Sequence, residues 1–143
     1  MSQTSPILSG SRVVYVSCPY SHPDPEVRAS RVDAATRLAA KLFLEGHIVF
    51  SPLTMTHPMT RWLPEWFAGN FEIWMRLDFY FLAQCDTLVV LRMPGWEESV
   101  GVAAEIRQAA EAGKTIVFVD PSGEDSPIIS QHAEAGSRYS LSL

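Results

Sequence analysis

Apolar residues in this chain form short continuous runs separated by longer stretches with helical spacing. The runs lie at residues 12–17, 47–51, 86–92 and 114–119. Short β-branched runs bounded by turn residues are typical of buried strands. The pattern therefore predicts four strands, to which RYSLSL at residues 138–143 could add a fifth at an edge.

The stretches between the runs predict helices. Asp24, Pro25 and Glu26 have the order of an N-cap, a first-turn proline and a first-turn acid, and the apolar face that follows ends at Gly46. Further helices are predicted at residues 71–84, at residues 100–112 and from Ser126 as N-cap, with Pro127 at the first helical position.

Strands and helices alternate, which predicts an α/β fold with a parallel sheet. We expect one Rossmann-like, doubly wound domain over residues 1–143, with four to five strands flanked by helices and a flexible segment at residues 1–11. The proline- and tryptophan-rich stretch from Pro52 to Asn70 is too irregular for one long helix, so we expect it to form a folded lid or wall.

Composition narrows the functional classes. The chain has 143 residues, 47% of them hydrophobic, and a formal net charge of -5. A protein that binds a nucleic acid polymer needs a clustered basic face, which 11 scattered lysines and arginines do not provide. No apolar run approaches the roughly 20 residues that span a bilayer, so neither nucleic acid nor a membrane is an expected partner.

The N-terminal residues and the cysteines indicate a cytoplasmic protein. The first ten residues lack the basic and apolar regions of a signal peptide. Cys18 and Cys85 each lie beside an apolar segment, which predicts two buried, reduced thiols without a bridge.

Candidate chemistry lies in the loops after the first and third strands, because ligands of open α/β sheets bind outside the carboxyl ends of strands. Ser99 and Gly101 stand at the start of a predicted helix, where free N–H groups and the helix dipole attract an anion such as phosphate. The alternative is that Ser99 only caps the helix and that Glu105 is a solvated helix residue.

Asp78 is a carboxylate within an apolar helical pattern. It could be a structural aspartate, or it could pair with Glu105. Two neighbouring carboxyl groups acquire different proton affinities, so that one can act as an acid while the other stays ionised.

Several cofactor and catalytic motifs are absent from the sequence. His22 and His57 lie in candidate pocket loops, but no Cys, Asp or Glu accompanies them at zinc-ligand spacing, so we expect no metal. The chain has no G-x-G-x-x-G after the first strand, no Walker lysine and no G-x-S-x-G, so we expect no bound cofactor.

Three groups of residues resemble the nucleoside 2-deoxyribosyltransferase-like superfamily, and the match runs from Val13 to Val119. They are Tyr15 with Cys18-Pro19-Tyr20, Asp78 with Asp86, and Ser99-x-Gly101 with Glu105. Two branches are similar, the deoxyribosyltransferases and the nucleoside 5'-monophosphate N-glycosidases. The chain also resembles an uncharacterised bacterial and phage group marked by YSHPDP, FSP and GWxxSxGV.

The resemblance implies a role for each of three residues. Glu105 would be the nucleophile on the anomeric carbon, Asp78 would assist departure of the base or position the sugar, and Tyr15 would hold the nucleophile. The S-x-G-V pattern before Glu105 resembles the monophosphate hydrolases, whereas the first loop, with Pro19 and Tyr20, is closer to the transferases.

The same resemblance implies where a nucleotide would bind. Ser21, His22 or Arg28 could replace the phosphate donors that hydrolases carry in the first loop, as could Ser126 from a second subunit of a homodimer. The candidates to stack on or border the base are Tyr20, His57, Trp74 and Trp96. For each aromatic, core packing remains the alternative.

The leading hypothesis is a hydrolase that cleaves the N-glycosidic bond of a nucleoside 5'-monophosphate. The alternatives are a deoxyribosyltransferase that exchanges bases and a non-catalytic nucleotide sensor. All three predict a small nucleotide or nucleoside as the partner.

Overall fold

A computed structural model of the chain describes residues 6–121 and the strand at 128–133. The strands are β1 (Val13–Ser17), β2 (Ile48–Phe50), β3 (Thr87–Leu91), β4 (Thr115–Asp120) and β5 (Ile128–Ala133). The α-helices are α1 (Pro25–Leu44), α2 (Pro52–Met59), α3 (Glu65–Ala68), α4 (Phe71–Ala83) and α5 (Val100–Glu111), and short 3-10 helices lie at Thr60–Trp62 and Trp96–Glu98.

The strands form one sheet in the order β2-β1-β3-β4-β5. The first four are parallel, with Tyr15 of β1 beside Phe50 of β2 and Leu88 of β3. The predicted α/β fold with a parallel sheet is therefore confirmed. Chain order reverses between β1 and β3, so the loops that follow these two strands flank the switch point where α/β proteins bind ligands.

The prediction of a helix beginning at Ser126 is wrong. Residues 128–133 instead form β5, which pairs antiparallel with β4 and carries an irregularity opposite Phe118 and Val119. Without β5, β4 would leave a row of backbone N–H and C=O groups unpaired at the sheet edge, and pairing these groups outweighs the local helix-start signal. Ser126, Pro127 and residues 138–143 lie outside the described residues.

The sheet buries both faces, as a doubly wound fold requires. Val14 and Val16 of β1 pack in a cluster with Leu38 of α1, whereas Tyr15 points to the opposite face and joins a cluster with Leu82 of α4 and Ile106 of α5. Successive side chains of a strand therefore alternate between two hydrophobic clusters, one on each face of the sheet.

Local signals set the start of α1 as predicted. Asp24 is the N-cap and accepts a 2.9 Å hydrogen bond from the backbone N–H of Glu26, with Pro25 at the first helical position. Within the segment predicted to be flexible, Ile7 and Leu8 are buried in the cluster beneath α1.

The stretch from Pro52 to Asn70 folds into α2, a 3-10 turn and α3, so it is not one long helix, as expected. Cys18 and Cys85 are buried and free. Among the described residues, no helix combines the length and apolar character needed to cross a bilayer.

Candidate functional site

A cavity of about 680 Å³ lies where β1 and β3 end. Residues 18–22 after β1 form one side and residues 98–102 after β3 form another. Parts of α2 and α4 complete the wall, so the stretch predicted as a lid or wall does border the cavity. The fold thus places a pocket at the sheet edge that the sequence indicated.

Glu105 lies at the buried end of this cavity and is only 4% exposed. Its Oε2 accepts a hydrogen bond from the Tyr15 hydroxyl, and its Oε1 accepts a 2.7 Å hydrogen bond from Ser17 Oγ. Tyr15 and Ser17 are two positions apart on β1, so both side chains point to the face that α5 covers. Two adjacent elements therefore fix the carboxyl group.

Sequence reasoning identified Tyr15 but missed Ser17. The period of two along a strand was the available signal, since it places Ser17 on the same face as Tyr15. The contact itself depends on the packing of α5 against β1, which that pattern does not specify.

Burial has the largest effect on the pKa of the Glu105 carboxyl group. It raises the pKa of Glu105 to about 8, although the hydrogen bonds from Ser17 and Tyr15 oppose the shift, and the nearby charge of Asp78 adds to it. Burial, followed by the charge of Glu105, also raises the pKa of Tyr15 well above its usual range. Tyr15 therefore remains a phenol that donates to the carboxyl group at neutral pH.

Asp78 is the second carboxyl group of the cavity and is 8% exposed. Burial raises its pKa to about 7. Its Oδ1 is buried and has no hydrogen-bond partner among the described residues. A buried polar atom that faces a cavity without a partner can bond to a ligand placed there.

The pocket-facing side of α4 follows helical spacing. Phe71, Trp74, Met75 and Asp78 all line the cavity, at positions i, i+3, i+4 and i+7 of one helix face. Trp74 was predicted to border the ligand and does lie here, with its Nε1 donating to the Ala68 carbonyl at 2.8 Å. Phe71 and Met75 were missed, although their spacing from Asp78 marks the same face.

Ser99 is both a helix cap and a cavity residue. As the N-cap of α5, its Oγ accepts a 3.2 Å hydrogen bond from the backbone N–H of Val102. Ser99 and Gly101 both line the cavity. Because the cap uses the oxygen as an acceptor, the hydroxyl hydrogen can be donated to a ligand.

The loop after β1 supplies four of the predicted residues to the cavity wall, namely Pro19, Tyr20, Ser21 and His22. The Tyr20 hydroxyl and His57 Nδ1 are 2.7 Å apart and form a hydrogen bond. His57 itself does not line the cavity. Arg28 is also outside the lining and donates to the backbone carbonyls of His22 and Pro23.

Trp96 does not line the cavity. Its ring packs against Phe118, with centroids 5.7 Å apart, and lies 6.0 Å from the Arg92 guanidinium carbon. In the structure this side chain therefore packs against the core. Ser126 lies outside the described residues, so its proposed contact remains a prediction.

Two charged cavity residues were missed, Arg31 and Glu98. Arg31 is 8% exposed and shares the buried face of α1 with Ala35, Leu38 and Leu42. A charged residue on an otherwise apolar helix face was the signal that could have found it. Glu98 lies directly before the cap residue of α5 and is exposed.

The described residues contain no group of three or more His, Cys, Asp or Glu side chains that could hold a metal ion. The site combines two buried carboxyl groups and hydroxyl donors in a cavity large enough for a small ligand. Such groups can act as a nucleophile or as a general acid.

Comparisons with known proteins agree with the fold. Residues 12–120 match a family model described as a domain of unknown function (DUF1937). A similar solved structure is a 2-deoxyribosyltransferase from the psychrotolerant bacterium Bacillus psychrosaccharolyticus, with 24% sequence identity and a TM-score of 0.52. The match covers 80% of this chain and 75% of that one. No curated protein matches the sequence. The resemblance inferred from the sequence is thereby confirmed at the level of the fold.

Proposed function

We propose that this chain, which belongs to the DUF1937 family, is an enzyme that cleaves the N-glycosidic bond of a nucleoside 5'-monophosphate. The proposal is based on the buried arrangement of Tyr15, Glu105 and Ser17. The single observation that carries this proposal is a carboxyl group held by two hydroxyl donors at the end of a cavity, with a second carboxyl group nearby. The fold shared with a deoxyribosyltransferase supports the same class of chemistry.

Glu105 acts as the nucleophile in this proposal in its ionised form, which is the minor form at neutral pH because burial raises its pKa to about 8. Turnover should therefore increase as the pH rises towards 8. An oxygen of its carboxylate attacks the anomeric carbon, the carbon–nitrogen bond breaks, and its electron pair leaves with the base. Each Glu105 oxygen accepts one hydrogen bond and keeps further lone-pair capacity. Water then attacks the anomeric carbon of the glycosyl ester and breaks its bond to the Glu105 oxygen, which releases sugar phosphate, the Glu105 carboxylate and one proton, taken up by the Asp78 carboxylate or by solvent.

Asp78 delivers a proton or a hydrogen bond in the same step. Its pKa of about 7 leaves a substantial protonated fraction at neutral pH, so it can protonate the departing base. Its unpartnered Oδ1 could instead bond to a sugar hydroxyl. Either role uses the oxygen that finds no partner within the described part of the chain.

The phosphate would lie at the start of α5, between the two loops. Ser99 has a hydroxyl hydrogen to donate, Gly101 leaves the backbone accessible, and Ser21 and His22 border the same cavity. These features support a 5'-monophosphate as substrate.

Base exchange between nucleosides is a second candidate, and one observation favours it. Glu98 also lines the cavity next to Ser99, and its carboxylate would repel a phosphate placed there. A 5'-hydroxyl, by contrast, could donate a hydrogen bond to that carboxylate. The deoxyribosyltransferase fold is consistent with this alternative.

Product analysis separates the candidates. The purified protein is incubated with ribo- and deoxyribonucleosides and their 5'-monophosphates, with and without a second base, and products are resolved by chromatography. Free base with sugar phosphate in water supports the hydrolase, whereas products formed only with an added base support the transferase. Tight binding without turnover would contradict both and indicate a sensor.

Glu105→Gln tests the mechanism directly. The change keeps the size of the side chain and one acceptor oxygen, while the amide NH2 group has to donate to the second hydroxyl group, and it removes the nucleophile, so turnover should fall by roughly a thousand-fold or more. Glu111→Gln on the exposed end of the same helix is the matched control and should retain wild-type activity. Near wild-type turnover by the Glu105 variant would rule out the nucleophile assignment.

A further inference from the structure

Arg31 is a buried charged residue that the proposed chemistry does not use. It lies on α1, is 8% exposed and contributes to the cavity wall. No carboxylate within the described residues lies at ion-pair distance from it. A buried guanidinium group needs other partners to offset the loss of water.

Those partners are backbone carbonyls of the two loops that form the cavity. We call residues 18–24, after β1, the first loop, and residues 92–99, after β3, the second loop. Arg31 Nη1 donates to the Ser21 carbonyl at 2.9 Å and the Tyr20 carbonyl at 3.4 Å, both in the first loop. Nη2 donates to the Pro94 carbonyl at 2.9 Å, in the second loop.

The backbone conformation and the surroundings of Gly95 suit the contact between Arg31 and the second loop. Its φ of +92° favours glycine, and a Cβ added at this position would lie 2.6 Å from Arg31 Nη2. Both the backbone conformation and the space beside the guanidinium group therefore require the absence of a side chain. The second loop approaches Arg31 as closely as it does because residue 95 is glycine.

The geometry of the guanidinium group explains why arginine occupies this position. Its planar fork presents donors in fixed, diverging directions, so one side chain can bond to two separate segments. A lysine ammonium is a single point on a flexible stem and cannot hold both loops at the same spacing.

We infer that Arg31, together with Gly95, is a positioning residue that sets the separation of the two loops and so the shape of the nucleotide site between them. The first loop carries Tyr20 and Ser21, and the second ends at Ser99, so their spacing determines whether both can contact one ligand. The consequence for kinetics rests on the proposed function. The loop contact itself does not.

Hydrogen exchange tests the contact without requiring turnover. In Arg31→Lys and Arg31→Met, backbone amides of residues 18–24 and 92–99 should exchange roughly ten-fold faster than in the wild type, because local opening becomes easier. Arg37→Lys and Arg37→Met, on an exposed part of the same helix, are the matched controls. Unchanged protection in either loop would overturn the inference, whatever reaction the protein catalyses.

Kinetics then separate positioning from direct phosphate binding. Arg31→Lys should raise KM by roughly ten-fold for a nucleoside and for its 5'-monophosphate alike, since both need the same loop spacing. A larger effect on the monophosphate alone would make Arg31 a phosphate ligand and would overturn the positioning role.

Gly95→Ala approaches the same contact from the second loop. It should reproduce the faster exchange and the higher KM of the Arg31 variants. Gly46→Ala is the matched control, because Gly46 has a φ of +100° but no atom within 4 Å of an added Cβ. The defects of Gly95→Ala and Arg31→Met should be less than additive in the double variant, since both remove one contact.

Two results would contradict the pairing of these residues: additive defects, or Gly95→Ala behaving like Gly46→Ala. Should Arg31→Met fail to fold, the cycle is built with Arg31→Lys, which keeps the positive charge and a similar length. The same exchange and KM measurements then decide the outcome.

Discussion

Ser99 combines a structural and a proposed chemical role in one hydroxyl group. Its oxygen caps α5, and its hydrogen remains for a ligand in the cavity. Residue-level evidence for capping therefore does not exclude phosphate binding, and the two roles predict different kinetic effects.

Ser99→Ala should raise KM for a 5'-monophosphate roughly ten-fold more than for the matching nucleoside, because only the monophosphate loses a donor to its phosphate. Steady-state kinetics with the two substrates measure the difference. Ser99→Thr, which keeps the hydroxyl group, is the control. Equal changes for both substrates would leave helix capping as the only role of this residue.

At the scale of secondary structure elements, α4 links stability to the site. Its first turn carries Phe71 and Trp74 into the cavity wall, and Asn70 caps that turn by accepting a 3.3 Å hydrogen bond from the backbone N–H of Ile73. Fraying of this end would displace two aromatic wall residues while leaving Asp78, two turns further on, in place.

Asn70→Ala should lower the free energy of unfolding by about 1 kcal/mol, because the first-turn N–H loses its partner. It should also raise KM more than it lowers kcat, since the aromatic wall is affected and the carboxyl groups are not. Urea unfolding and steady-state kinetics test both effects. Asn70→Ser, which retains a capping oxygen, should stay close to the wild type in each measurement.

At the scale of the whole molecule, the buried site imposes a stability cost that depends on pH. The pKa of Glu105 is about 8 in the folded protein, against an ordinary value of 4.5. The folded state therefore holds this proton more tightly than the unfolded state. The stability that the folded protein gains by binding this proton is fully present below about pH 4.5. It is lost progressively as the pH rises towards 8, where the buried carboxyl group has to ionise.

Glu105→Gln should consequently gain stability relative to the wild type as the pH rises. The difference in Tm between variant and wild type should be about 5 °C or more larger at pH 8 than at pH 5. Thermal unfolding of both proteins across this range measures it, with Glu111→Gln as the exposed control. A difference that does not change with pH would show that Glu105 does not carry a raised pKa.

The expected homodimer, with Ser126 reaching into a neighbouring site, stays a prediction. Ser126 lies outside the described residues, and the first-loop residues present in the cavity include Ser21 and His22 as possible phosphate contacts.

Local patterns determined much of the fold. Asp24 and Pro25 specify the start of α1, and the β-branched runs specify four strands, because capping and burial leave their signal within a few neighbouring residues. The sequence also singled out Tyr15, Asp78 and Glu105. It did so through motifs that resemble a known superfamily and, for Asp78, also through a carboxylate within an apolar helical pattern.

Tertiary structure decided the features that depend on contacts between distant segments. The strand β5 forms because β4 offers unpaired backbone groups, which outweigh a local helix-start pattern at Ser126. Trp96 packs on Phe118 instead of facing the cavity, and Ser17 bonds to Glu105, 88 residues away. Arg31 joins two loops through backbone carbonyls, which every residue possesses, so nothing in the sequence of those loops marks them as its partners.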